Sequence, residues 1–334
     1  MDVSKRVLKI NFVGLDSRVN LNNWPVYRLI SQKYDVCLTE KPDYVIFCND
    51  GQCEFRYNDC IKILIQSENR VCDFNAYDYA AGFDYMVFGD RYLRNPLFAR
   101  RSEFELLKNR KVENIEQLLN RKFCSFVVSN VQYADPIRRR FFEQLSKYKR
   151  VDSGGKVLNN IGGPVKDKME FCKGYKFNIA FENSSSLGYT TEKIMDAYVA
   201  QSVPIYYGNP TVETDFRPES MIRVTGDDDV ERAIEEVIKL DNDDDAYLKK
   251  VTEPCFAVDD PNLYEQQLED FLLRIFEQPI RNARRRNRYG CQAMMAEHMK
   301  MVLGVDQTIR DCPLFGLALK ARDFFGGLHG KRKT

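Results

Sequence analysis

Residues 176–210, KFNIAFENSSSLGYTTEKIMDAYVAQSVPIYYGNP, constrain the fold more than any other stretch of the chain. Phe177, Ile179 and Phe181 alternate as a strand does, and the polar run from Glu182 to Tyr189, with Gly188 inside it, ends that pattern. Thr190 or Thr191 can cap a helix that continues through Ile194, Ala197 and Tyr198, and Val203 to Tyr207 resumes an extended run. The pattern predicts strand, loop, helix, strand. In an open parallel sheet such a loop lies at the carboxyl edge, where ligands bind. Here it carries the carboxylates Glu182 and Glu192, the amide Asn183, the phenol Tyr189 and the ammonium Lys193.

The same alternation of strand and helix extends upstream. Residues 7–13, 44–48 and 61–65 read as buried strands, and 24–34 as an amphipathic helix with Pro25 in its first turn. The run KILIQ at 62–66 stops abruptly at Ser67, Glu68 and Asn69, which puts a strand-end carboxylate beside a cleft. In 77–88, Gly82 marks a turn and the run after it is strand-like. An α/β domain is expected through residue 118. The second half opens with the strand CSFVVS at 124–129, followed by a helix for which Asp135 is a natural cap and Pro136 a natural first residue. Arg138 then falls in the first helical turn, where the dipole disfavours a cation unless an anion is bound as well. Arg138, Arg139 and Arg140 therefore read either as an anion site or as a solvated face. Ser153, Gly154, Gly155 and Lys156 form a loop that is either ligand-facing or a plain turn. An amphipathic helix over 263–276, ended by Pro279, closes a second domain at 119–279.

With 334 residues and 44% apolar content, the chain has core material for about two domains. Its net charge is +1, but 280–334 holds twelve Lys and Arg against four acids, giving +8 and leaving −7 for the rest. This basic tail, with RNARRRNR at 281–288 and Leu314, Leu317, Ala318, Ala321, Phe325 and Leu328 on one helical face, reads either as a packed terminal helix or as a peripheral contact with anionic lipid. It has no aromatic-interleaved basic module, so no nucleic-acid partner is expected. Ten cysteines without a CxxC pair, and only two histidines, support neither a zinc site nor a catalytic histidine. Reduced thiols point to the cytoplasm, and the tail to peripheral contact with the inner face of its membrane. No stretch of about eighteen apolar residues spans a membrane. The runs Asp227–Asp229 and 243–245 could hold a divalent cation, but they lie beside helix starts and read as caps.

The segments FENS (181–184), YTTEK (189–193) and VPIYYG (203–208) resemble the signature of the α1,3/4-fucosyltransferases, in particular the bacterial type. The resemblance continues through SENRVCDFNAYDYAAGFD (67–84), GDRYLRNPL (89–97), SNVQYADPIRR (129–139) and SGGKVLNNIGG (153–163). It implies two Rossmann-like domains facing a cleft, the GT-B type of glycosyltransferase. It also implies inverting transfer of L-fucose from GDP-β-L-fucose to a GlcNAc or Glc hydroxyl of a β-galactoside-containing glycan, a Lewis-type or lactose-like acceptor. GDP-fucose is then the donor substrate, no cofactor is required, and a divalent metal is not expected to be essential.

By motif position the resemblance makes Glu68 the base that takes the acceptor proton. Arg138 and Lys193 are the cations that meet the diphosphate, and Glu192 is the carboxylate that holds the ribose. Asn183 and Tyr189 match donor-site positions, and Glu182 stands beside them as a weaker match. Two departures qualify it: after the first strand the chain offers only Asn11, Phe12 and Val13 where relatives are rich in aromatics, and it shows neither a signal anchor nor heptad repeats. The alternatives are a transferase of this fold with another nucleotide sugar, and a membrane-tethered nucleotide-sugar-binding protein without catalysis.

Overall fold

A computed structural model describes residues 5–16, 19–48, 53–112, 114–129 and 133–310. Two parallel sheets organise them. The first contains β1 (Val7–Val13), β2 (Asp35–Leu38), β3 (Tyr44–Phe47), β4 (Ile61–Ile65), β5 (Tyr79–Gly82) and β6 (Tyr92–Arg94) in the order β2-β1-β3-β4-β5-β6. The second contains β7 (Lys122–Phe126), β8 (Val151–Ser153), β9 (Tyr175–Phe181), β10 (Val203–Tyr207) and β11 (Ile222–Arg223) in the order β11-β10-β9-β7-β8. All pairings are parallel. Strands β3, β4, β9 and β10 are buried along their whole length; β3 and β10 read as continuous apolar runs, while β4 carries Lys62 and β9 carries Lys176 and Asn178 among apolar residues.

Each sheet is covered on both faces. On the second, Phe177, Ile179 and Phe181 pack with Ile137, Phe141 and Val237 from the Ile137–Tyr148 and Val230–Asp241 helices. On its other face Ala180 and Tyr206 meet Ile194, Ala197 and Tyr198 of the Glu192–Val199 helix, and that cluster also takes in Phe98, Phe104 and Leu107 from the end of the first half.

The chain then returns to the first sheet. The Leu263–Phe276 helix, which the sequence assigns to the second domain, packs Leu268, Phe271, Leu272 and Ile275 against Ile10, Ile46, Ile63 and Tyr79. Its periodicity identifies an apolar face but not the sheet that face covers.

Two further expectations change. Gly82 ends β5 instead of marking a turn, and the following apolar residues form no strand: Val87 is 98% exposed, and the buried run is Tyr79–Gly82 itself. The basic cluster is partly structural, because Arg285 pairs with Asp90, and Arg286 pairs with Asp78 at 2.9 Å with its side chain almost wholly buried. The apolar face expected at 314–328 lies outside the described residues. Finally, Gly155 brings backbone against backbone: a Cβ there would stand 1.8 Å from Val128 O, so this glycine serves packing of the loop on the end of β7.

No helix among the described residues is long and apolar enough to cross a membrane. Eight of the described cysteines are free, six of them buried.

Candidate active site

In the second sheet the strand order reverses direction between β7 and β9, and the loops that leave these two strands diverge from that point. Ligands bind at such a switch point in open α/β sheets. The loop after β7 leads into the Ile137–Tyr148 helix and the loop after β9 into the Glu192–Val199 helix.

Glu182, the first residue beyond β9, is fully buried. Its carboxylate accepts from Thr191 N (2.7 Å), from Thr191 Oγ1 (2.7 and 2.8 Å to its two oxygens) and from Lys193 Nζ (2.9 Å). Gly208 makes room for it: with φ +153°, a Cβ at 208 would lie 2.4 Å from Glu182 Cγ. Thr191 occupies the cap position of the Glu192–Val199 helix, yet its hydroxyl serves Glu182 instead of the helix amides. The positive end of the helix dipole, without a hydroxyl cap from Thr191, thus stands at the carboxyl edge of the sheet.

Lys193 Nζ also donates to Thr191 Oγ1 at 3.0 Å and lies 3.7 Å from Glu192 Oε1. Burial works against its charge, but Glu182 and Glu192 outweigh burial and raise its pKa, so it is a permanent cation. An ammonium has three N–H groups, and these two hydrogen bonds leave one to meet a ligand. For Glu192, burial favours the neutral acid, but Lys193 and Lys168 pull the carboxyl down to about 2. Lys168 is itself bound to Asp196 at 2.6 Å.

Arg138 separates from its neighbours as the sequence could not decide. Arg139 pairs with Glu143 and Arg140 with Asp227 on the solvated face, while Arg138 is buried and donates Nη1 to Asn183 Oδ1 at 2.7 Å. Burial lowers the Arg138 pKa, with Glu182 and Tyr189 opposing. The loop behind it is fixed by Asp135, whose Oδ1 accepts from Ile137 N and whose own N–H donates to Asn183 O at 2.7 Å. Arg138, Asn183, Glu182, Lys193 and Glu192 thus form one continuous array.

The first sheet supplies the opposite wall. Glu68 follows β4 at its carboxyl edge, and its neighbour Asn69 donates Nδ2 to Ser184 Oγ across the cleft at 2.6 Å. Tyr189 is buried where the halves meet, its ring edge-on to Phe83 at 4.8 Å. Partial burial raises the Glu68 pKa; Lys193 opposes this, and Glu192 and Glu182 add to it. The Asn69 contact sets the end of β4 against the loop after β9, and a raised pKa makes the Glu68 carboxylate a stronger base.

The structure therefore brings together Glu68, Arg138, Asn183, Tyr189, Glu192 and Lys193. It adds Glu182 as the hub, together with Lys168 and Asp196. The available signal was position: a carboxylate directly after the apolar Ile179–Phe181 end of a strand is carried into the core by that strand. Asn209 is a further addition, accepting from Gly188 N (2.7 Å) and donating to Thr190 Oγ1 (3.0 Å), which holds the loop's return. The aspartate runs serve as caps and ion pairs: Asp243 accepts from Ala246 N, and Asp229 binds Thr225 N and Arg232.

Two parallel α/β sheets opposed at their carboxyl edges, with the charged array between them, define a GT-B-type glycosyltransferase architecture. The family model for the Alpha-(1,3)-fucosyltransferase FucT N-terminal domain matches residues 10–100, and that for the Glycosyltransferase family 10 (fucosyltransferase) C-term matches residues 119–252. The chain is 32% identical to Alpha-(1,3)-fucosyltransferase FucT of Helicobacter pylori over 302 residues, 79% of this chain and 63% of that protein. It is 40% identical to Alpha-(1,3)-fucosyltransferase 4 of Bos taurus over 87 residues, 25% of this chain and 21% of that protein. It thus spans less than two thirds of the length of either. A crystal structure of an α1,3-fucosyltransferase with GDP-fucose superposes with a TM-score of 0.70 at 31% identity, covering 83% of this chain and 93% of that one. Another structure of an α1,3-fucosyltransferase gives 0.74 at 30% identity, covering 86% and 94%. The chain belongs to the glycosyltransferase family 10 fucosyltransferases.

Proposed function

We propose that the chain is an inverting α1,3-fucosyltransferase that moves L-fucose from GDP-β-L-fucose to a GlcNAc or Glc hydroxyl of a β-galactoside-containing glycan. Its membership in the family supports the reaction class, and the charged array supports the assignment of roles. Glu68 takes the proton of the acceptor hydroxyl as that oxygen attacks the anomeric carbon. The bond from this carbon to the β-phosphate oxygen breaks on the opposite side, so one displacement inverts the centre. Negative charge grows on the leaving GDP, where Lys193 and Arg138 meet it with the first-turn amides of the Glu192–Val199 helix. Glu192, held ionised, accepts from the ribose hydroxyls, while Asn183 and Tyr189 line the donor side. Peripheral contact of the tail with an anionic membrane face belongs to the same proposal and is tested by vesicle co-sedimentation of the full chain.

The observation that supports the reading is the contact beside Glu68: Asn69, the next residue, donates to Ser184 Oγ at 2.6 Å, so the end of β4 in the first sheet faces the loop that leads to Glu192 and Lys193. The test is transfer by the Glu68→Gln variant. Loss of transfer with GDP affinity retained supports the base assignment, and unchanged transfer removes it.

A further inference from the structure

A second cleft, of about 450 Å³, opens at the amino edge of the first sheet, between the segments that precede β4 and β5 and the start of the Cys291–Arg310 helix. It is separated from Glu68 by the length of β4, about 17 Å for a five-residue strand. Asn58 lines it and is 8% exposed. Its Nδ2 donates to Glu297 Oε1 at 3.1 Å, while its Oδ1 is buried without a hydrogen-bond partner among the described residues. Turning the amide over would set Oδ1 against the Glu297 carboxylate, so the unpartnered atom is an acceptor. An acceptor in that state is costly in a finished core and natural in a site that a donor completes.

The adjacent wall carries both signs of charge. Three arginines and two acids line the cleft. Arg286 is committed to Asp78 and to Cys60 O. Arg284 donates Nη2 to Asn58 O at 2.8 Å, yet its Nε is buried without a partner among the described residues. Burial, together with the guanidinium groups of Arg286 and Arg288, lowers the Arg284 pKa, as expected where like charges crowd. Arg288 is exposed and has no ion pair among the described residues. Asn75 and Gln292 add amides to the lining, and Tyr289 adds a ring that is 86% exposed.

A buried acceptor, amides, guanidinium N–H groups without a partner among the described residues and an open aromatic face recognise a ligand with hydroxyl donors, one anionic group and a flat ring surface. We propose that this cleft binds an anionic sugar, a saccharide carrying a phosphate or a carboxylate, independently of the donor site. A sugar hydroxyl donates to Asn58 Oδ1, the anion takes Arg284 and Arg288, and the sugar face lies against Tyr289.

The test uses the full chain with GDP at saturating concentration, titrated by calorimetry and saturation-transfer NMR with glucose 6-phosphate, glucuronate, glucose and inorganic phosphate. Saturable binding of either anionic sugar at least tenfold tighter than both glucose and phosphate supports the proposal, and the tighter of the two names the anion. Arg288→Ala, at an exposed position, and Asn58→Leu, which removes the unpartnered acceptor, each weaken that binding at least tenfold while GDP affinity stays unchanged. The proposal is overturned if neither anionic sugar binds saturably, if phosphate alone matches them so that the cleft is an anion hole only, or if binding survives Arg288→Ala.

Discussion

Glu182→Gln removes one charge from the centre of the array and keeps the shape. Three donors converge on this buried carboxylate, and one of them is the Lys193 ammonium at 2.9 Å. Breaking a buried ion pair on one side costs about 3–5 kcal/mol, because the remaining charge is left desolvated. Glutamine keeps a carbonyl for the Thr191 amide, which argues for the lower end, about 3 kcal/mol. That corresponds to a fall in Tm of roughly 6–12 °C at 2–4 °C per kcal/mol. The origin is checked by a double-mutant cycle in calorimetry. In a Lys193→Met background the ammonium is gone, so Glu182→Gln should cost at most about 1 kcal/mol, leaving a coupling of about 2 kcal/mol. GDP affinity should fall in the single variant as well, since Lys193 loses the contact that positions it. Additive effects within about 0.5 kcal/mol would refute Glu182 as the hub.

Glu68→Gln should lower transfer by at least about 100-fold with GDP affinity unchanged. The base must be ionised and its pKa is raised, so wild-type kcat should fall as pH drops through a value above the ordinary glutamate range, read from a pH–rate profile. Lys193→Ala should weaken GDP-fucose binding and turnover together, because the charge it meets is present in the ground state and grows in the transition state; unchanged kinetics would contradict this. Glu192, held at about 2, contributes stability that is fully present above about pH 4.5 and lost as pH falls toward 2, on the order of 3 kcal/mol; Glu192→Gln should flatten that part of a Tm–pH curve. Gly208→Ala should displace Glu182, on which its Cβ would collide at 2.4 Å, and lower both Tm and GDP affinity.

The strand, loop, helix and strand of residues 176–210 were legible because Phe177, Ile179, Phe181 and the run Val203–Tyr207 are apolar and the residues after Phe181 are polar and include Gly188. Glu68, Glu192 and Lys193 could be named because they stand at positions of the fucosyltransferase motifs; as polar residues beyond apolar runs they would have read equally well as solvated charges. What periodicity could not give was partnership. The Leu263–Phe276 helix shows an apolar face in sequence, but only the fold puts that face on the first sheet. Arg138, Arg139 and Arg140 are alike as letters, and only the rotation of their helix buries Arg138 against Asn183. Glu182 was the hardest to value, since a buried carboxylate is improbable until its three donors are seen to come from a helix start nine to eleven residues later. The arginine cluster at 284–286 looked like a lipid-facing surface because Asp78 and Asp90, which bind two of its members, lie about two hundred positions away in the chain.

The central claim is a single inverting displacement from GDP-fucose. The most direct measurement incubates the full chain with GDP-β-L-fucose, and separately with GDP-mannose and UDP-sugars, on lactose and N-acetyllactosamine, and assigns the product linkage by NMR. Fucose joined in the α configuration to the 3-hydroxyl of Glc or GlcNAc, from GDP-fucose in preference to the other donors, is the predicted result. A β-linked product, or preferred transfer from GDP-mannose or a UDP-sugar, would contradict it.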